Sequence, residues 1–281
     1  MPAYITQERR HLHDQALNRL IRHRSKGGPN FADSSSHASK AIADRMLKKL
    51  GAPAVRSQLK GQEAGRIFEE LIAKFLQNCF RRARSVRPGN WTFHRGLEIA
   101  KFAQYAHLED LSQAAKADHT GVLQTVLGDY TVRPDIVISR SPEPDSAINS
   151  SVTLVDNRSV LRSSLRARNS TTPILHASIS CKYTIRSDRS QNSRTEALNL
   201  IRNRKGHTPH ITAVTVEPMP SRLGSLALGT GDIDCVYHFA LDELIASVAE
   251  VGDETANELL AILVDGKRLR DISDLPLDLA V

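Results

Sequence analysis

The stretch Leu175-His176-Ala177-Ser178-Ile179-Ser180-Cys181-Lys182-Tyr183, continued by Thr184-Ile185-Arg186-Ser187-Asp188-Arg189, decides how this chain of 281 residues is read. Its first half is apolar or small at nearly every position, which suits a strand buried inside a sheet. Strand side chains alternate, so Ser180 and Lys182 share one face while Ile179 and Cys181 share the other. The second half is a polar loop, and Arg189–Asn203 then reads as a helix. A strand that ends near a lysine and passes through a charged loop into a helix belongs to an α/β architecture.

Upstream, Pro134-Asp135 opens a second short strand, Ile136-Val137-Ile138. An aspartate on one strand and a lysine on the next bring a carboxylate and an ammonium to one phosphate, as a metal-dependent nuclease requires. In that reading Asp135 is the first metal ligand, and Glu196 reaches the same ion from the following helix. Lys182 positions or helps to deprotonate the attacking water. Glu69, on a helix that starts near Gln62, supplies a more distant or second-metal carboxylate. Ser180 stands where the common Asp/Glu-x-Lys pattern has its acid, so Glu196 has to replace it. The competing reading is structural, with Asp135 capping a strand and Lys182 and Glu196 forming a surface ion pair of little energetic worth.

Arginine donates two hydrogen bonds to guanine O6 and N7, and a carboxylate accepts from cytosine N4. Arg186, Asp188 and Arg189 therefore suit one half of a self-complementary CCGG; the plainer alternative is an exposed, internally neutralised loop. Arg194, Arg202, Arg204 and Lys205 extend a positive face along which a phosphate backbone would run. His207 and His210 have no acidic or cysteine cluster beside them and read as loop residues near a DNA-facing edge.

The balance of 38 Lys+Arg against 31 Asp+Glu gives a formal charge of +7, which suits a polyanionic partner. Cys79, Cys181 and Cys235 are odd in number and far apart, an arrangement expected of a reducing cytoplasm rather than of a disulfide framework. No apolar run is long enough for a membrane span, and the start of the chain has no apolar leader, so a soluble, unexported protein is expected.

Periodicity predicts helices over 3–24, around Ile42–Leu50, from Gln62 to a basic tail at Arg81–Arg84, and over 97–118, 189–203 and 241–263. Strands are predicted at 135–139, 152–156, 175–183, 211–217 and 233–239, with 139–172 as a surface excursion. The expected organisation is one domain over 1–281, with an N-terminal helical arm at about 1–60.

The block Leu175–Ile211, with His-Ala-Ser-Ile-Ser-Cys-Lys, Ile-Arg-Ser-Asp-Arg and Arg-Asn-Arg-Lys-Gly, resembles the NgoMIV-like type II restriction endonucleases of the PD-(D/E)XK superfamily. The resemblance runs from Thr6–Arg10 through Gly61-Gln62, Phe68-Glu69, Arg87-Pro88-Gly89, Gln104–Leu108 and Pro134-Asp135 to Ala227–Leu241 and Asp271–Val281. It implies a central mixed β-sheet flanked by helices, with the acid missing at position 180 displaced to Glu196. It also implies that Asp135, Glu196 and the Cys181 carbonyl hold Mg²⁺, with Lys182, Ser180 and Glu69 completing the catalytic set. Arg186, Asp188 and Arg189 would read the central CCGG. Asp33 and Arg222 would reach the outer G·C pair from the major groove, Gln62 from the minor groove, and Ser35 would lie near the DNA.

The implied substrate is double-stranded DNA carrying GCCGGC, cut after the first G to leave a 5′ overhang. A two-fold site implies a two-fold enzyme, and the resemblance suggests a homodimer or homotetramer with no membrane partner and no small-molecule cofactor. Two other readings stay open: a repair or mobile-element nuclease on the same fold, and a DNA-binding protein that no longer cleaves.

Overall fold

The structure is a computed structural model that describes residues 2–24, 28–51, 59–119, 132–185, 187–229 and 231–281, with backbone alone for 187–191. Among these residues six strands lie side by side in chain order: β1 (Trp91–Arg95), β2 (Ile136–Arg140), β3 (Ile174–Lys182), β4 (His210–Thr215), β5 (Cys235–His238) and β6 (Leu269–Asp271). The first three pair antiparallel and the last four parallel, so β3 is the seam of a mixed sheet. Nearly every residue of β2 to β5 is buried, as strands covered on both faces must be.

The covering helices are α1 (Tyr4–Arg19), α2 (His37–Lys49), α3 (Gly61–Arg82), α4 (His107–Ala117), α5 (Asp145–Ile148), α6 (Ser187–Asn203), α7 (Pro220–Ala227), α8 (Leu241–Val251), α9 (Glu254–Asp265) and α10 (Leu275–Asp278). On α3, Ile67, Phe68, Leu71, Ile72, Phe75, Leu76 and Cys79 repeat at three- and four-residue spacing and are buried. The Phe68 ring sits 5.7 Å from that of Tyr183 and 6.3 Å from that of Phe239, which seats α3 on one face of the sheet. Ser180 has the opposite parity to Tyr183, and its hydroxyl lies 3.3 Å from that of Ser193 on α6, so α6 covers the other face. One cluster of buried apolar side chains extends from Leu12 on α1 to Leu279 just after α10.

Strand direction decides where the functional side chains meet. Because β2 is antiparallel to β3, with Ile136 opposite Ile179, Asp135 falls beside the end of β3. The parallel strands β4 and β5 finish at that same end, so the segments after Thr215 and His238 arrive there too. Carboxyl ends of parallel strands are where α/β sheets carry their ligands.

Several expectations need correction. Helix α1 stops at Arg19 rather than at 24, and the segment 97–118 becomes helical only at His107, after a 3₁₀ turn at Ile99–Lys101. No strand forms at 152–156; Asn149 Oδ1 instead accepts from the amides of Leu154 and Val155 and satisfies that backbone locally. The expected last helix is two, broken where Gly252 adopts φ +78° and Asp253 caps α9 by accepting from the Ala256 amide. Strands β1 and β6 and helix α7 were not anticipated; β1 is an edge strand, largely exposed, with no apolar run to mark it.

Candidate active site

At the end of β3 the Asp135 carboxylate is held by two donors from the neighbouring strand. Its Oδ2 accepts from the Cys181 amide at 2.7 Å and from the Lys182 ammonium at 3.3 Å. Its Oδ1 has no hydrogen-bond partner among the described residues. Both side chains are half-buried, so the pair is only partly screened by water. Glu69 arrives from α3 and Glu196 from α6, and both feel the charges of Asp135 and Lys182. Burial, and then repulsion from Asp135, pushes the Glu69 carboxyl above its ordinary value, against Arg95 and Lys182. Burial also raises Glu196, with Lys182 opposing and Asp135 adding to the rise. Three acids thus act on Lys182, and Glu69 also feels Arg95 and Arg66.

Burial and the same two acids, Asp135 and Glu69, push the Cys181 thiol well up, which removes it from thiolate chemistry. No three His, Cys, Asp or Glu side chains among the described residues converge as a ready-made metal cage. Mg²⁺ does not need one, because it is usually bound through one or two carboxylates, with water and substrate phosphate completing the octahedron. The hard oxygen donors of Asp135 and Glu196, in a group short of positive charge, fit that ion.

A second group lies beside the first. Arg222 on α7 forms an ion pair with Asp33, from the loop before α2, and donates to the Ile185 carbonyl at 3.3 Å. Asp33 also accepts from the Ser35 hydroxyl at 2.6 Å and the Ser35 amide at 2.9 Å. The Ser35 bonds and Arg222 together hold its carboxyl far below the usual range. Asn30 fastens this loop to the sheet, accepting from the Tyr183 hydroxyl at 2.8 Å and donating to the Leu20 carbonyl at 3.0 Å. Gln62 is in the first turn of α3, seven residues before Glu69 and therefore on roughly the same helical face. Asp188 and Arg189 lie in the first turn of α6, described by backbone only; Arg186 lies outside the described residues.

Residues 10–281 match the family model described as NgoMIV restriction enzyme. The chain belongs to the NgoMIV restriction enzyme family. It is 48% identical over 288 residues to the type II restriction enzyme NgoMIV of Neisseria gonorrhoeae, with 100% of both proteins covered. A solved complex of the restriction endonuclease PspGI with substrate DNA is similar at a TM-score of 0.39 and 16% identity, covering 98% of this chain and 89% of that one. As a member of the NgoMIV family the chain is a type II restriction endonuclease, a site-specific deoxyribonuclease.

In this NgoMIV-family enzyme, Asp135 and Lys182 are in direct contact, and Asp33 and Arg222 meet although 189 positions separate them. His207 and His210 are not near that end of the sheet. His210 pairs with Ala177 while Lys182 pairs with Thr215, which places it about 16 Å away along the strands. Arg194 is not free to track a phosphate backbone either, because it donates to the Ser225 carbonyl. Sequence reasoning missed Glu217, fully buried just past β4, although an acid inside Val214-Thr215-Val216-Glu217-Pro218-Met219 is itself a signal.

Proposed function

We propose that this endonuclease hydrolyses double-stranded DNA at GCCGGC with Mg²⁺ as its cofactor, cutting after the first G to leave a 5′ overhang. The observation that carries the reading is the Asp135 carboxylate fixed between the Cys181 amide and the Lys182 ammonium, beside two acids that burial and Asp135 raise. Asp135, Glu196 and the Cys181 carbonyl hold the ion. When bound there, Mg²⁺ would neutralise phosphate charge and make a coordinated water more acidic. Lys182, anchored on Asp135, offsets charge on the non-bridging oxygens and positions the attacking water. Ser180 orders that water from the same strand face, and Glu69 completes the set from α3.

Arg186, Asp188 and Arg189 read the inner CCGG. The Asp33–Arg222 pair presents an acceptor and a bidentate donor side by side, the complement of cytosine N4 and guanine O6/N7 in one G·C pair. Gln62 contacts that pair from the minor groove, and Ser35 orients Asp33. The whole chain acts as one cytoplasmic domain, and the two-fold palindrome requires at least a homodimer, with a homotetramer as its doubled form.

The test is incubation with Mg²⁺ and two plasmids, one with GCCGGC sites and one without, followed by sequencing of the ends. Discrete cuts at GCCGGC are expected. Cuts at a different palindrome would displace Asp33, Gln62 and Arg222 from their roles, and site-specific binding without cutting would make the protein an inactive binder.

A further inference from the structure

We infer that Glu217 is a positioning residue that couples the two base-reading stations, the inner one carried by the segment Ile185–Arg189 and the outer one formed by Asp33 and Arg222. The inference rests on the base-reading roles proposed above. Glu217 is 0% exposed and lies two residues beyond β4. Its amide donates to the Thr215 hydroxyl at 3.1 Å, which fixes its backbone. One carboxylate oxygen, Oε2, accepts from the Ile185 amide at 2.9 Å, immediately before Arg186. The other, Oε1, accepts from the Met219 amide at 3.2 Å, and Met219 is the N-cap of the helix that carries Arg222. The Arg222 guanidinium closes the circuit: its Nη1 lies 3.8 Å from Glu217 Oε2 and donates to the Ile185 carbonyl, while its Nη2 donates to Asp33.

A side chain that only filled this space would be apolar, because burying a carboxylate is costly unless it is well bonded. The cost is visible here. Burial raises the Glu217 carboxyl to about 7, against the Ile185 and Met219 amides and Arg222. What the acid supplies is two acceptors and a charge that bind the root of the inner loop, the start of α7 and the outer arginine into one unit. A shift of Arg222 on meeting a wrong outer base is therefore transmitted to the backbone amide next to Arg186. Errors at the two stations are then not independent.

Glu217→Gln tests this, since an amide offers a single acceptor oxygen and leaves either Ile185 or Met219 without its partner. Single-turnover cleavage is measured on four duplexes: the palindrome the wild type cuts fastest, that site with the outer pair exchanged, with the inner pair exchanged, and with both. For the wild type, the double exchange should differ from the product of the two single penalties. For Glu217→Gln the penalties should become multiplicative, and discrimination at each station should fall about tenfold, within the range one base pair contributes. Glu217→Asp, which keeps the charge but withdraws it by one methylene, should move both stations in the same direction and serves where the glutamine variant does not fold.

Equal slowing of all four duplexes by either variant, with the wild-type coupling intact, would overturn the inference and leave Glu217 a structural residue. The wild-type series by itself tests the recognition sequence. A preferred site other than GCCGGC changes the duplexes used and corrects the proposed function alone, while absence of any preference overturns both.

Discussion

Arg9 and Lys182 each stand among buried or partly buried acids, but the acids around Arg9 are saturated and those around Lys182 are not. Between α1, α8 and the end of β6, Arg9 binds both oxygens of Glu243, at 3.0 and 2.7 Å, and both oxygens of Asp271, at 2.8 Å each. Burial works against both carboxylates, yet the hydrogen bonds from Arg9 hold them below their ordinary values. At the end of β3, Lys182 makes one contact of 3.3 Å, and Glu69 and Glu196 are raised instead of lowered. A planar guanidinium bonds both oxygens of two carboxylates, whereas the Lys182 ammonium bonds one oxygen of Asp135, and Glu69 and Glu196 stay raised. The first group contributes to the fold. Under the proposed function the second would take a further cation, the kind of stability sacrificed for function that active sites show.

The two cations differ most in what their removal should do. Lys182→Ala should lower cleavage by about 10²–10⁴-fold, the range of a positioned proton-transfer group, while duplex binding in Ca²⁺ is retained. Wild-type rates from purified Lys182→Ala would remove the residue from the mechanism. Arg9→Ala removes the cation shared by Glu243 and Asp271, leaving Asp271 with the Leu241 and Ser273 amides, and should cost about 3–5 kcal/mol of stability, measured by denaturant unfolding, with cleavage by the folded fraction unchanged. A near-neutral effect on stability would show that the saturated group contributes nothing.

Metal and pH sharpen the contrast at smaller amplitude. Mg²⁺ at a hundred times its dissociation constant should stabilise the wild type by about 2.7 kcal/mol, and Asp135→Ala should abolish that gain. Equal stabilisation of both proteins would place the ion elsewhere. The two groups also carry opposite pH signatures. The depressed carboxyls of Glu243 and Asp271 contribute stability above their ordinary values of 4.5 and 3.8, lost as pH falls through their lower folded values. The raised carboxyls of Glu69 and Glu196 contribute below 4.5, and that contribution is lost as pH rises through their higher folded values. Melting against pH in metal-free buffer should therefore show a shallower alkaline-side decline in Glu196→Gln and a shallower acid-side decline in Asp271→Asn, the remaining raised and lowered carboxyls keeping the rest. Profiles unchanged by either substitution would remove these groups as the source.

What was legible in the chain follows from how local each interaction is. Strand β3 and the Asp135–Lys182 contact could be read because alternation and strand order bring them together with little help from the rest of the molecule. The central sheet flanked by helices was expected and is present. The Arg9 group was not legible, since Asp271 lies 262 positions away. A separation of 189 positions hid the Asp33–Arg222 contact from pattern; the family resemblance implied only that both residues reach the same outer base pair. Gly252 and Asp253 stood in plain view as a helix stop and a cap, but apolar periodicity on both sides masked the break between α8 and α9. Glu217 was overlooked because a buried acid has no periodicity to announce it.

If unsaturated acids mark the cutting centre and saturated acids the scaffold, removing one acid from each group should have opposite effects. Glu196→Gln and Asp271→Asn each remove one negative charge with almost no change in volume, so their melting temperatures in metal-free buffer at neutral pH measure the difference directly. The account predicts that Glu196→Gln melts above the wild type and Asp271→Asn below it; both variants melting below the wild type, or the reverse order, would contradict it.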